Sequence, residues 1–242
     1  MKKRFFILMP ALLLSLTACN LGDLINSAVN NNDDESSQND DGNSNGNANS
    51  SADDSIFDKP ESLKKLMAFG KSTGFEIKTK ATEDDADGAE ITLGMKGNIW
   101  WTLDAEGSGT GYRLENNVCS MLSYSSETQS WSELIANAGE TQYEEMFEGV
   151  SSYLYVANNY FANDGFAANG SGTYAGRNVL KYKYERSVAA VISVKHEYYV
   201  DKDLGISLYQ YAETTSDGQK EWAKVETVSF KTGNDVTAIT VA

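Results

Sequence analysis

A polar stretch near the start of the chain limits where a folded core can form. Residues 26–55 are Asn, Asp, Ser and Gly with almost no apolar side chains. Such a segment cannot bury enough apolar surface to offset the conformational entropy lost on ordering it. It is therefore predicted to be a disordered linker, which leaves residues 59–242 to form one domain of ordinary length.

This linker is also strongly acidic. Between Asn20 and Asp58 there are nine acidic residues and no basic one, and like charges extend a flexible chain beyond the ~35 Å average for this length. Residues 19–58 are predicted to act as a spacer. A calcium-binding role for the acids has no ligand spacing to support it.

The first 18 residues have the parts of a secretory signal. Residues 2–4 are basic, residues 5–16 are mainly apolar, and the segment leads into Leu16-Thr17-Ala18-Cys19. A helix of about 12 apolar-rich residues is ~18 Å long, well short of a hydrocarbon core of ~30 Å. The segment is predicted to be removed and not to remain as a membrane span.

Those last four residues resemble the bacterial lipobox, Leu-(Ala/Ser/Thr)-(Gly/Ala)-Cys, at every position. The resemblance implies lipidation of Cys19, cleavage before it, and anchorage of the mature chain on the extracytoplasmic side of a bacterial membrane, in the cell envelope. Two or three acyl chains, at ~0.8 kcal/mol per buried methylene, hold stably to a bilayer where one chain is marginal. The alternative is an ordinary signal peptide with a coincidental cysteine.

Charge excludes one class of partner. Loss of residues 1–18 removes three positive charges and no acid, so the formal charge changes from −15 to −18. A nucleic-acid backbone needs a basic footprint, so nucleic acid is not expected as a partner. Attraction to anionic lipid head groups is disfavoured for the same reason, which leaves the acyl chains on Cys19 as the expected contact with the membrane.

The first part of the domain is predicted to be a short helix followed by antiparallel strands. The helix should follow Asp58, run to about Phe69 and stop at Gly70. Apolar residues then alternate with polar ones, which is typical of strands, over residues 75–81, 90–96, 99–103, 112–114 and 118–124.

A second, longer helix is predicted after these strands. Thr141 and Glu144 have the spacing of a capping box, and an apolar stripe through about Tyr160 follows at helical spacing, formed by Tyr143, Met146, Phe147, Val150 and Leu154. This stripe is expected to pack on the sheet. Residues 161–172 mix aromatics with glycines and are predicted to be a loop, either an ordinary connection or a lid over a cavity.

The rest of the chain is predicted to be a meander of strands over residues 173–185, 189–200, 206–214, 221–230 and 236–241. In the second of these, period-two alternation places His196 on one face with Val188, Ala190, Ile192, Val194, Tyr198 and Val200. His196 is the only histidine. It is interpreted either as a hydrogen-bonded core residue or as a cavity-lining group that orients a ligand.

Motifs for catalysis, cofactors and metals are weak throughout. Cys119 has no partner for a disulfide once Cys19 carries lipid, and its neighbours offer no positive charge to activate a thiolate. One imidazole without a second histidine or a positioned thiolate does not make a metal site. The glycine-rich bend at residues 107–111 has no following Lys-Ser/Thr, and the acidic turn at residues 83–88 does not reach a bidentate Glu. The chain is predicted not to be an enzyme and to need no cofactor.

The order of elements resembles the lipoprotein-carrier half-barrel superfamily, the LolA-, LolB- and LppX-like proteins. The residues that carry the resemblance are Gly-Asn-Ile-Trp-Trp at 97–101 and the turn segment from Tyr198 to Ile206. It implies an α+β fold in which a strongly curved antiparallel sheet, a half-barrel, wraps over one long and one short helix. In that superfamily the sheet and the helices enclose an apolar cavity for acyl chains.

Two functions from different classes follow. In the first, the domain is a monomeric binding module that holds a lipid or other apolar small molecule between sheet and helix, with seven candidate lining residues: Trp100, Trp101, Tyr143, Phe147, Tyr182, His196 and Tyr198. In the second, side chains fill the interior and the protein is a structural or protein-interaction lipoprotein that uses its exposed tyrosine-rich faces.

Overall fold

The computed structural model describes residues 59–84, 86, 88–138, 140–155, 167–189, 192–237 and 239–241. The predicted signal segment, Cys19 and the linker lie outside the described residues and stay predictions. Among the described residues, no helix is both long enough and apolar enough to cross a membrane.

Two α-helices and eleven strands make up the described part of the chain. Helix α1 (Lys59–Ser72) is followed by six strands, β1 (Phe75–Glu83), β2 (Glu90–Lys96), β3 (Ile99–Asp104), β4 (Gly109–Glu115), β5 (Val118–Ser125) and β6 (Ser130–Ala138). Helix α2 (Glu140–Ser151) and a 3-10 turn (Ser152–Leu154) come next. Five strands complete the fold: β7 (Ala167–Tyr174), β8 (Arg177–Ala189), β9 (Ile192–Asp201), β10 (Ser207–Ser216) and β11 (Gln219–Thr232).

All eleven strands join one antiparallel sheet in the order β6-β5-β4-β3-β2-β1-β11-β10-β9-β8-β7. The first strand and the last strand therefore pair in the middle, and β6 and β7 are the outermost strands of the described sheet. An antiparallel sheet accompanied by helices is the architecture that the alternation predicts. The expected contrast of one long and one short helix is not seen, because the α-helices have 14 and 12 residues.

The sheet has two distinct faces. We call the face that carries the helices the inner face; it includes Ile77, Leu93 and Trp100, which join Phe147 of α2 in the main core. The opposite, outer face carries a second buried cluster of Trp101, Leu122, Trp131 and Val236. Because successive residues of a strand point to opposite sides, the adjacent tryptophans of β3 are divided between the two faces.

Helix α1 continues beyond its predicted end. Gly70 was expected to stop the helix but lies inside it, where an added Cβ would come within 2.5 Å of the Met95 sulfur. Its role is close packing on β2. Gly74, at φ +85°, follows the helix, and its amide bonds back to the carbonyl of Phe69, which is a typical C-terminal cap.

The second helix also differs in its bounds. It begins at Glu140, so Thr141 lies inside the first turn and is not the cap, and the α-helix ends at Ser151. Tyr143, Phe147 and Leu154 are buried as the stripe predicts, whereas Met146 is 37% exposed. Residues 156–160 of the predicted helix lie outside the described residues.

The strands differ from the prediction at four other places. Strand β6 was not predicted, and two register shifts in its pairing with β5 interrupt the alternation that would have indicated it. Residues 167–172, predicted as part of a loop or lid, belong to the small-residue strand β7; residues 161–166 lie outside the description. The predicted strand 189–200 is divided by a hairpin, with Ala189 paired to Ile192. The described residues of the predicted strand 236–241 do not form a strand, and Val241 makes an isolated bridge with Trp131.

The hairpin between β9 and β10 depends on a buried carboxylate. Asp201 is fully buried and accepts hydrogen bonds from Arg177 Nε at 2.6 Å and from the backbone amides of Asp203 and Leu204, each at 2.9 Å. Opposite charge and amide donors offset the cost of burying the carboxylate. The turn is thereby tied to the start of β8.

Glycine at position 94 is required by space, so two glycine substitutions should have opposite effects. Gly94→Ala would put a Cβ 2.2 Å from the Trp101 ring, and we expect a loss of about 1–3 kcal/mol in unfolding free energy. Gly149→Ala, in α2, meets nothing within 4 Å and should gain about 0.5–1 kcal/mol from helix propensity. Urea denaturation measures both, and equal effects would contradict the packing assigned to Gly94.

Candidate functional site

The seven predicted ligand-lining residues fall into three places. Trp100, Tyr143 and Phe147 meet in the main core on the inner face. Tyr182, His196 and Tyr198 lie together on the inner face of β8 and β9, where Tyr182 is directly opposite Tyr198. Trp101 is on the outer face, so it does not take part in a site shared with the other six.

The first group is a packed aromatic cluster. The Trp100 ring stacks on Tyr112 with a centroid distance of 4.7 Å and meets Phe147 edge-on at 5.9 Å. The indole Nε1 donates to the backbone carbonyl of Tyr143 at 3.3 Å. Trp100, Tyr143 and Phe147 are each no more than 1% exposed, so this cluster fixes α2 on the sheet.

One polar atom in this cluster is unsatisfied. The hydroxyl of Tyr143 is buried and has no hydrogen-bond partner among the described residues. Burial raises the pKa of Tyr143, and the nearby Cys119 adds to the effect. Cys119 is itself a buried free thiol whose pKa is raised by burial, which suits a small buried strand residue and not a reactive nucleophile.

The second group forms an aromatic wall on β8 and β9. The ring of His196 is parallel to that of Tyr198, within 5°, at a centroid distance of 6.3 Å, and it lies 6.0 Å from the ring of Tyr184. Tyr182, Tyr184 and Tyr198 are buried, and His196 is partly buried. Among the described residues, no group of three or more His, Cys, Asp or Glu side chains comes together to hold a metal ion.

Small side chains lie on the inner face beside this wall. Ala212 of β10 is paired with His196 on one side and with Ala223 of β11 on the other. Ala81 of β1 belongs to the same face and is paired with Val225. All three alanines are partly buried. We call Ala81, Ala212 and Ala223 the alanine trough, because methyl side chains leave the sheet surface lower here than the aromatic rings beside it.

Tyr153, just after α2, reaches across the inner face beside the trough. Its backbone carbonyl accepts a hydrogen bond from Gln210 Nε2 at 2.6 Å, and Gln210 is paired with Tyr198. The hydroxyl of Tyr153 is buried close to Thr79. The end of α2 is therefore connected to the strand that carries the aromatic wall.

The distance across the trough is comparable with the length of a lipid tail. Neighbouring strands are ~4.8 Å apart, so β9 and β1, which are three spacings apart in the sheet order, are separated by ~14 Å along its surface. Half of a ~30 Å hydrocarbon core is ~15 Å, the depth that one lipid tail fills. Trp100, two strands further along, is ~24 Å from the wall, too far for the two aromatic groups to contact each other across the sheet surface.

Sequence reasoning missed four residues around this region: Tyr112, Tyr153, Tyr184 and Gln210. Two of them could have been found. Tyr184 has the same strand parity as Tyr182, and hairpin pairing places Tyr112 opposite Trp100. Tyr153 and Gln210 meet through a contact 57 residues apart in sequence, which no local pattern indicates.

Comparison with known proteins gives partial likenesses of fold. No family model and no curated protein matches this chain. Solved structures that it resembles include the Pseudomonas aeruginosa MucA/MucB complex, at 13% identity, covering 78% of this chain and 59% of the matched chain, with a TM-score of 0.32. LprF from Mycobacterium bovis is 8% identical, with 75% and 97% coverage and a TM-score of 0.29. A LolA superfamily protein from Nitrosomonas europaea is 11% identical, with 74% and 94% coverage and a TM-score of 0.23.

The chain spans about 60% of the matched chains in the MucB structures. At these TM-scores, none of the likenesses carries a functional inference. The residues and geometry of this chain have to supply it.

Burial of Tyr153 predicts a loss of stability at alkaline pH. Burial raises its pKa from 10.0 to about 12, partly offset by the Thr79 hydroxyl. The unfolded chain therefore releases this proton first, and the stabilisation present below pH 10 should fall as the pH rises toward 12. Urea denaturation at pH 9 and pH 11.5 should show a smaller loss in Tyr153→Phe than in the unmodified protein. Equal losses in the two proteins would contradict the assignment.

Proposed function

We propose that this protein is a non-enzymatic lipoprotein of the bacterial envelope, anchored by acyl chains on Cys19, whose domain holds a lipid or other apolar ligand on the helix-bearing face of the sheet. The observation that carries the proposal is the alanine trough, which lies next to the aromatic wall on the helix-bearing face. The lipobox residues support attachment to the envelope membrane. The acidic linker of residues 19–58 is the proposed spacer between the lipid anchor and the domain.

The aromatic wall and the trough have complementary roles in this proposal. Apolar surface that leaves water contributes ~25 cal/mol per Å², and the small side chains of Ala212 and Ala223 give an acyl chain room to lie against the sheet. The rings of Tyr198 and His196 then contact one side of the chain. Ligand pockets of this kind combine apolar surface with a few polar groups that fix orientation, and Gln210 and Tyr153 are placed to do so.

The packing of Trp100, Tyr143 and Phe147 limits where on the inner face the ligand can lie. Because these three side chains are completely covered and pack on one another, we place the ligand on the β8–β9 side of the inner face. The role of the Trp100 cluster is then to hold α2 in position. Trp101 has no part in the inner site.

A second candidate, a surface-interaction lipoprotein with a filled interior, is favoured by a cluster of tyrosines facing away from the aromatic wall. Tyr199 and Tyr209 stack at 4.7 Å, and Tyr174 meets both rings edge-on at 5.4 and 5.9 Å. All three rings are partly buried, and Tyr174 and Tyr199 also pack against the main core. Aromatic side chains that stay partly exposed are common in protein interfaces.

Filling the trough should weaken ligand binding. In Ala212→Phe the new ring occupies the space assigned to the ligand, and we expect binding of the fluorescent fatty acid cis-parinaric acid to weaken at least ~10-fold, which is ~1.4 kcal/mol. Thr215→Phe is the matched control, because Thr215 is also partly buried on β10 but points to the opposite face.

Native mass spectrometry of the purified protein should also show co-purified lipid, reduced in Ala212→Phe and retained in Thr215→Phe. A clean ligand-free mass in repeated preparations, together with no binding of the probe, would favour the filled-interior candidate.

Loss of the cysteine should release the protein from the membrane. We expect Cys19→Ala to lack the mass of the acyl groups and to move from the membrane fraction to the aqueous fraction, because the acidic chain has no basic footprint for lipid head groups. Cys119→Ala is the control and should stay with the membrane. Retention of Cys19→Ala in the membrane fraction would rule out the lipid anchor.

A further inference from the structure

A cleft on the outer face lies on the other side of the sheet from the proposed ligand site. It has a volume of about 380 Å³, at the lower end of the ~300–1,000 Å³ typical of small-molecule sites. The partly exposed ring of Tyr124 and the buried rings of Trp101 and Trp131 form its aromatic floor. Leu103 adds apolar surface, and residues of the C-terminal segment, including Ile239, form one wall.

Glycines in the strands make room for this floor. At Gly94, a Cβ would lie 2.2 Å from Cε2 and Cζ2 of Trp101, and at Gly111 it would lie 3.2 Å from Cζ3 of Trp131. Neither glycine has the positive φ that would require glycine for conformational reasons. Glycine weakens a strand interior and often marks a close approach, so these two positions allow the indole rings to lie against the sheet.

The C-terminal segment is fixed at both ends of the cleft. Lys96 Nζ donates to the carbonyls of Gly233 at 3.2 Å and of Val236 at 3.1 Å, and the side chain of Val236 is buried in the outer-face cluster. At the other end, Val241 forms a parallel bridge with Trp131. Thr237 and Thr240 lie between these two attachments and line the cleft.

The polar groups around the floor carry no unpaired charge. Glu76 is the one charged residue among those lining the cleft, and its carboxylate is paired with Lys231 Nζ at 2.5 Å. The other polar lining residues are neutral, namely Gln129, Ser130, Thr237 and Thr240. An ion would gain little from such a rim, and a hydrocarbon chain would desolvate it without replacing its hydrogen bonds.

We propose that the outer-face cleft binds a neutral saccharide. A sugar ring presents C–H groups on its faces and hydroxyls around its edge, which matches an aromatic floor inside a ring of neutral hydrogen-bonding groups. Its hydroxyls can exchange hydrogen bonds with the amide of Gln129 and the hydroxyls of the threonines, while Glu76 accepts without the cost of an unpaired charge. The cleft holds the volume of roughly 12 water molecules at ~30 Å³ each, enough for a short saccharide.

Ligand-observed saturation-transfer NMR tests this on the full chain held in lipid nanodiscs, with maltose and N,N′-diacetylchitobiose as the probes. At least one of the two should receive saturation at its ring C–H protons, with millimolar affinity. Tyr124→Ala, which removes part of the floor at a partly exposed position, should weaken binding at least ~10-fold. Tyr211→Ala is the matched control: Tyr211 is a partly exposed outer-face tyrosine on β10, away from the cleft.

Three results would overturn the proposal. They are the absence of saturation transfer from either sugar at ~10 mM, where a millimolar ligand is mostly bound; equal effects of Tyr124→Ala and Tyr211→Ala; and loss of cis-parinaric acid binding in Tyr124→Ala, which would assign an apolar occupant to the cleft. Saccharide binding should survive Ala212→Phe, so failure of the inner-face proposal and failure of this one are distinguishable.

Discussion

The alternation of side chains along β3 is the constraint on which this structure depends. Period two sends Trp100 to the inner face and Trp101 to the outer face, so this half of the sheet has a large apolar group on both sides, and each requires a cover. Helix α2 covers the inner side, where Trp100 meets Phe147. The outer side is covered by the segment after β11, which brings Val236 to Trp101 and Val241 to Trp131. The pairing of β1 with β11 in the middle of the sheet makes this cover available, because it starts the C-terminal segment next to the strands that need it.

The inner face is not uniform from one edge to the other. On the β3–β5 side, aromatic rings fill the space between sheet and α2 and leave each other almost no exposed surface. On β10 and β11 this face carries Ala212 and Ala223 next to the larger Gln210 and Val225, and on β8 and β9 the side chains become aromatic again. A sheet whose only role was to bury a core would use large apolar residues across its centre, as interiors are packed to high density. The change to alanine between two aromatic groups is what gives the ligand hypothesis a definite position on the face.

Much of this architecture could be predicted from the sequence, and the exceptions have physical causes. The alternating strands were found because apolar and polar residues alternate wherever strand pairing is regular, as in β1, β2 and β3. Strand β6 was hidden by two register shifts, and β7 by its glycines and alanines, which give no alternation. Gly70 was interpreted as a stop because sequence does not distinguish a cap from a close helix–strand contact. Among the candidate ligand residues, His196 and Tyr198 were placed on one face by the alternation along the strand, and strand pairing brings Tyr182 opposite Tyr198. Trp100 and Trp101 were grouped together although adjacent strand residues cannot share a face.

The outer face is kept in contact with water on one half of the sheet and is covered by protein on the other half. On β9, β10 and β11 this face carries alternating charges in close pairs, among them Lys195 with Glu197 at 3.2 Å and Lys224 with Glu226 at 2.8 Å, and the rings of Tyr211 and Trp222 stack between them at 6.1 Å. Exposed pairs of this kind contribute little stability each, but they let aromatic side chains lie at a hydrated surface. On β3, β5 and β6 the same face carries the apolar side chains Trp101, Leu122 and Trp131, which depend on the C-terminal segment for cover. That segment is attached at Val236 and at Val241, and residues between these two attachments line the cleft. The cleft is thus a consequence of covering an apolar sheet face with a segment that, among the described residues, forms one isolated bridge to it.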